Sequence, residues 1–202
     1  MNQSPSILIV DDDPSVRRAL GRLLVSAGWA VEEISNGGEL LESASLHTAG
    51  CIVLDVDMPK MNGLEVQKEL IKKGCQLPII FLTAHGDIPM TVHAVKAGAI
   101  DFLSKPCDAN TLLAAVDEAI HLYQESLLDR ADSQEERLRI ESLTPREHEV
   151  MLAVAKGSMN KVIASDLGIA EKTVKVHRGR VMRKLKVSSV AELVQMAVRN
   201  PS

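Results

Sequence analysis

The chain has 202 residues, of which 46% are hydrophobic, 25% charged and only 2% aromatic. That suits a globular protein of one large or two small domains, and no apolar run is long enough to span a bilayer. Cys51, Cys75 and Cys107 are odd in number and widely spaced without a CxxC, which argues against a disulfide scaffold or zinc site and for inert thiols in a reducing cytoplasm.

The opening "MNQSPS" lacks the basic and apolar regions of a secretory signal. The net charge of −4 is unevenly spread. Residues 1–120 carry 9 Lys/Arg against 16 Asp/Glu, residues 121–142 carry 3 against 6, and residues 143–202 carry 11 against 5. An acidic front and a basic back imply two modules with different partners, nucleic acid being a candidate for the second.

In the front module, apolar runs at Ile7–Val10, Ala30–Ile34, Cys51–Leu54, Ile79–Leu82 and Ala99–Leu103 predict five strands. Helical patterns follow at Ser15–Ala27, Gly38–Leu46, Leu64–Lys72, Pro89–Lys96 and from Ala109 onward. Strands alternating with helices predict an α/β fold, a doubly wound five-stranded parallel sheet covered on both faces. Ligands of such sheets sit beyond the carboxyl ends of the strands. There the chain places Asp11 and Asp12 after strand 1, Asp55 after strand 3, Thr83 after strand 4, and Ser104 and Lys105 after strand 5. Clustered carboxylates become tolerable around a divalent cation, and Mg²⁺ favours hard oxygen ligands. With Lys105 as a second cation and Thr83 as a donor, the set suits phosphoryl transfer. Asp13, just before Pro14, is assigned instead to capping the following helix.

The motifs "IVDDD", "LDVDMPKMNG", "FLTAHGD" and "AIDFLSKP" resemble the receiver domains of two-component response regulators, which are flavodoxin-like, over about residues 6–121. The resemblance implies that Asp55 is the phosphoacceptor, served by a sensor histidine kinase. It implies Mg²⁺ held by Asp12 directly, by Asp11, by Asp55 and by the Asp57 carbonyl. Thr83 and Phe102 would be the switch pair, Lys105 would bind the phosphoryl group, and Lys105–Pro106 would be cis. The nitrogen-fixation (FixJ-like) branch is the nearest in character. Asp57 adds a further acid that either acts on the metal and on water attack or is a solvated loop acid. His85 would lie on a loop near the mouth of the site. His47, His93 and His121 are assigned no chemistry, and Met58, Met61 and Met90 are assigned to packing and loops.

From Asp108 to Ser142 there is no Gly or Pro, and helix formers dominate. The expectation is a receiver over 1–121, a helical linker over 122–142 acting as an exposed spacer, and a second domain over 143–202. A disordered acidic segment after about Asp129 is the alternative.

The basic end predicts a small all-α domain of four helices: Pro145 to about Lys156, Lys161–Leu167 capped by Asn160, Glu171–Leu185, and Ser189–Arg199. Helix, short turn and basic helix form a helix-turn-helix pattern, whose second member fits the major groove. "LTPREHEVM", "KVIASDLGIAEKTVKVHRGRVMRKL" and "SVAELV" resemble the LuxR-type DNA-binding domain over about residues 142–199. By that resemblance Lys161, Lys172, Thr173, Lys175, His177, Arg178, Arg180 and Arg183 form the DNA surface, the last two in part a solvated face. Ala191, Val194 and Gln195 would form a dimer surface. Gly179 stands where some relatives carry a base-contacting Lys.

Together these features predict a transcription regulator of the FixJ/NarL type, not an enzyme. Phosphorylation of Asp55 would drive homodimerisation and binding to double-stranded promoter DNA, with RNA polymerase as a further partner, in the cytoplasm and away from membranes. The competing readings are a haloacid-dehalogenase-type phosphatase, with Asp57 as acid/base, and a constitutive DNA binder with an inert receiver.

Overall fold

The computed structural model describes residues 5–84 and 98–200. Two compact units divide the chain, Met1–Leu127 and Leu128–Ser202. The expected helix Pro89–Lys96, with His85, Met90 and His93, lies outside the described residues.

The first unit holds five parallel strands: β1 (Ser6–Val10), β2 (Val31–Ile34), β3 (Ala49–Asp55), β4 (Ile79–Thr83) and β5 (Asp101–Ser104). Their order is β2-β1-β3-β4-β5, and all pairs are parallel. Alternate residues along a strand face opposite sides, so two cores form. Leu8, Val10, Ile52, Leu54 and Phe81 point one way, towards helices α2 (Gly37–Glu42) and α3 (Gly63–Lys72). Ile7, Ile9, Val53, Ile80 and Leu82 point the other way, towards Leu24 of α1 (Pro14–Ser26) and Leu112, Val116 and Ile120 of α4 (Ala109–Glu141). β3 is buried throughout, which matches its unbroken apolar run from Ala49 to Leu54. Cys51 lies inside it, and burial pushes its thiol up to about 12. None of the three cysteines is in a disulfide.

The expected helix Gly38–Leu46 breaks early. Ser43 is extended and its side chain accepts from Ser45 N, which ends α2 at Glu42 and starts a 3₁₀ turn over Ala44–His47. Helix α4 is continuous to Glu141. Asp108 opens it, its carboxylate accepting from Thr111 N at 3.1 Å.

The second unit starts within α4 and continues with α5 (Pro145–Ala155), α6 (Asn160–Leu167), α7 (Glu171–Leu185) and α8 (Val190–Arg199). Its core joins Val150, Val154, Ile163, Val174, Val181, Leu185, Leu193 and Met196, with Ile140 packed against them. Residues 128–142 cluster with this unit, while most of them remain exposed. Arg139 donates to the Leu185 carbonyl at 3.5 Å, Lys186 meets Glu135 at 3.3 Å, and Arg199 meets Glu136 at 3.1 Å. Thr144 and Glu147 close a capping box at the start of α5. Asn160 is not the cap of α6: it is the first helical residue, and Met159 precedes it without a side-chain cap. Its side-chain oxygen instead accepts from Arg178 Nη1 of α7 at 3.1 Å. Gly168 ends α6 with φ 62°, a left-handed turn that favours glycine.

Candidate functional site

The parallel register builds the first site. Val10 pairs with Leu54, so Asp11 and Asp55 leave the sheet side by side. Leu82 pairs with Asp55 and Thr83 with Ser104, which brings Thr83 and Lys105 to the same edge. Asp11, Asp12 and Asp55 each offer a carboxylate oxygen, all within 4.8 Å of one another. Lys105 Nζ lies 2.6 Å from Asp11 Oδ2 and 2.8 Å from Asp55 Oδ1. Three carboxylates against one ammonium leave a net charge of −2, and an all-oxygen donor set of that charge suits a hard divalent cation. Asp12 is exposed while Asp11 and Asp55 are buried, so the open side of the cluster faces solvent.

Burial pushes the Asp55 carboxyl up, against the opposing hydrogen bond and charge of Lys105. Burial alone would lower Lys105, but its bonds to Asp11 and Asp55 outweigh it and hold the ammonium above its ordinary value. Asp13 is set apart as expected: its carboxylate accepts from Ser15 N at 2.7 Å and caps α1. Those Ser15 bonds hold its carboxyl below the usual range.

The carboxylate of Asp57 is not among the clustered three. It accepts from the Thr83 hydroxyl at 3.0 Å. Phe102 is half-buried, its ring 5.8 Å from that of Phe81. The Lys105–Pro106 bond is cis.

Two positions escaped the sequence reading. Arg17 Nη1 donates to the Asp11 carbonyl at 2.6 Å, fixing the acidic turn from one helical turn away. Nothing in the spacing announces that contact. Gly63 opens α3 so close to β3 that a Cβ would lie 2.4 Å from the Asp55 carbonyl oxygen. The Asn62-Gly63 pair before a helix was its only visible signal.

The second candidate surface is the outer face of α7. Lys172, Thr173, Lys175, Arg180 and Arg183 are exposed, as is Lys161 on α6. Val174, Val181 and Leu185 are buried beneath. Lys172, Lys175, Gly179 and Arg183 recur at helical spacing on one side. His177 and Arg178 are half-buried. Arg178 braces Asn160, and His177 Nδ1 is enclosed without a hydrogen-bond partner among the described residues. Lys184 is exposed as well, but its Nζ reaches back to lie 2.6 Å from Glu147 Oε2 and 3.1 Å from the Ser142 carbonyl. On α8, Ala191, Gln195 and Val198 are exposed and Val194 is half-buried.

A doubly wound sheet with an acidic pocket at the carboxyl ends of its strands, in one chain with a basic helix-turn-helix, is the combination found in response regulators that act on DNA. Residues 7–117 match the response regulator receiver domain, and residues 141–197 match the luxR family of bacterial regulatory proteins. The chain belongs to the two-component response regulators of the FixJ/NarL type, with a receiver domain and a LuxR-type DNA-binding domain. It is 45% identical over 193 residues to the response regulator protein TodT of Pseudomonas putida, covering 96% of this chain and 85% of that one. It is 41% identical over 198 residues to the transcriptional regulatory protein FixJ of Azorhizobium caulinodans, covering 98% and 94%. Among solved structures, the response regulator StyR superposes with a TM-score of 0.86 at 45% identity, over 98% of this chain and 100% of that one. No helix among the described residues is long and apolar enough to cross a membrane.

Proposed function

We propose that Asp55 accepts a phosphoryl group from a sensor histidine kinase and that this controls binding of the second domain to promoter DNA. The observation that carries the reading is the buried Asp55 carboxylate, held at 2.8 Å by Lys105 beside Asp11 and Asp12. An Asp55 oxygen attacks phosphorus, and the bond to the kinase histidine nitrogen breaks with its electron pair. Lys105 is placed to neutralise charge on the transferred group. Asp11, Asp12 and Asp55, with the Asp57 carbonyl, would hold Mg²⁺, which lowers the repulsion between carboxylate and phosphoryl oxygens. Thr83 and Phe102 are the switch pair.

On DNA, Lys161, Lys172, Thr173, Lys175, Arg180 and Arg183 form the contact surface, and His177 and Arg178 support it from its half-buried side. Phosphorylation favours a homodimer through the receiver, with the Ala191–Gln195 side of α8 as a second contact. Two linked sites raise affinity through effective concentration. RNA polymerase is the further partner, and the cytoplasm is the compartment. The test is incubation with acetyl phosphate and Mg²⁺, followed by mass measurement and footprinting on genomic fragments. One added phosphoryl group on wild type, none on Asp55→Asn, and phosphate-dependent protection of DNA are expected. Equal labelling of both proteins would sink the reading.

A further inference from the structure

Thr83 is fully buried at the end of β4, and its backbone is pinned on both sides. Its carbonyl accepts from Lys105 N at 2.7 Å, and its neighbour Leu82 accepts from Val56 N at 2.9 Å. A threonine hydroxyl has one proton to donate. Here the hydroxyl donates to the Asp57 carboxylate at 3.0 Å, and that contact uses the proton. Asp57 is itself exposed at the open side of the pocket, two residues beyond Asp55 and joined to it by the same strand end.

We propose that Asp57 is a restraint on the switch threonine: its carboxylate competes with a phosphoryl group on Asp55 for the single Thr83 proton. This rests on Asp55 being the phosphoacceptor. Thr83 can serve the phosphoryl group only by rotating from one staggered position to another, and Asp57 must then release the hydroxyl. The restraint therefore weakens the pocket's hold on a phosphoryl group and raises the threshold for switching. Asp57 acts here as a positioning residue, through Thr83, and not by touching the reacting atoms.

The test uses the full chain and beryllium fluoride with Mg²⁺, an anion that attaches to an aspartate carboxylate with the geometry of a phosphoryl group. Its dissociation constant is read by fluorine NMR in wild type, Asp57→Ala, Thr83→Val and the double variant. A hydrogen bond to a charged group is strong enough to shift binding about tenfold. Asp57→Ala should tighten binding by about that factor, and in the Thr83→Val background it should have little effect. Thr83→Ser, which keeps the hydroxyl, should restore the dependence on Asp57. The same tightening in the Thr83→Val background would show that Asp57 acts through its charge, and overturns the restraint. An unchanged constant in Asp57→Ala overturns it as well. A wild type that binds no better than Asp55→Asn removes the phosphoacceptor reading, and the restraint with it.

Discussion

Asp55 and Glu147 are both carboxylates shut away from solvent beside a lysine, one in each domain, at 3% exposure each. Their surroundings pull them in opposite directions. Burial pushes Asp55 up despite Lys105. The Lys184 hydrogen bond, helped by the Thr144 backbone N–H, pulls Glu147 down to about 2. A raised carboxyl is a group whose ionised form the fold does not favour, and it stays available for chemistry or for a cation. A lowered carboxyl is satisfied and serves as a fastener. The receiver keeps its charges in a pocket at some expense to stability, whereas the DNA-binding domain ties Glu147 inside and leaves Lys172, Lys175, Arg180 and Arg183 on its surface.

The largest effect should come from removing the receiver's carboxylate. Asp55→Asn should abolish phosphoryl uptake from acetyl phosphate, read as loss of the mass shift, without lowering Tm. The sign follows from linkage. With a folded value raised above 3.8, Asp55 adds stability only below about that pH, and the contribution is lost as pH rises through the raised value. At neutral pH its charge therefore gives no stability to lose. A clear fall in Tm would make Asp55 a structural group like Glu147.

The converse change should show itself in folding. Lys184→Ala should destabilise the second domain by about 1–2 kcal/mol after allowance for screening of the partly exposed lysine, measured by chemical denaturation. The Glu147 contribution is fully present above 4.5 and lost as pH falls towards about 2. The wild type should thus lose this increment across that window and the variant should not. A variant as stable as wild type at pH 7 would leave Lys184 no fastening role.

On that face the pattern should reverse, with binding affected and folding not. Lys175→Ala should lower the slope of binding against salt by about one unit if it meets a phosphate, with Tm within about 0.5 kcal/mol equivalent of wild type. Arg178→Ala should instead cost stability, because its guanidinium braces Asn160 across the helix-turn-helix. If the two variants behave alike in salt titrations and melts, the division between brace and contact fails.

The smallest effect is expected at Lys60, which sits at φ 70° in the loop between β3 and α3. A left-handed non-glycine residue costs roughly 1 kcal/mol, and glycine's looser unfolded chain offsets part of that. Lys60→Gly should raise receiver stability by about 0.5 kcal/mol or less, with phosphoryl uptake unchanged, both read on one sample.

The strands, the acids at their ends and the capping role of Asp13 were legible because they depend on period and position along the chain. Alternation of apolar residues and the parallel order place Asp11, Asp55 and Lys105 at one edge before any coordinate is known. Contacts that depend on a rotamer were not legible. Asp57 could face metal, water or a neighbour, and its bond to Thr83 is a matter of one torsion. Lys184 differs from Arg183 by one position on α7 and is exposed like it, yet the 100° step between them brings its ammonium to Glu147. Asn160 resembled a cap because Asn, Ser and Asp favour that place, but a guanidinium from the next helix offered it a charged donor. The end of α4 is polar and mostly exposed, as the spacer reading expects, but the pairing of its acids with bases more than forty residues away was not visible in the sequence.

Cys51 gives the receiver a chemical clock. Its thiol, raised to about 12, holds almost no thiolate at neutral pH and has no exposed surface, so an alkylating reagent reaches it only when the sheet opens. Cys75 and Cys107 are partly exposed and would be consumed first. With those two replaced by serine, the slow alkylation of the remaining thiol times the opening of β3 itself, the strand that ends in Asp55.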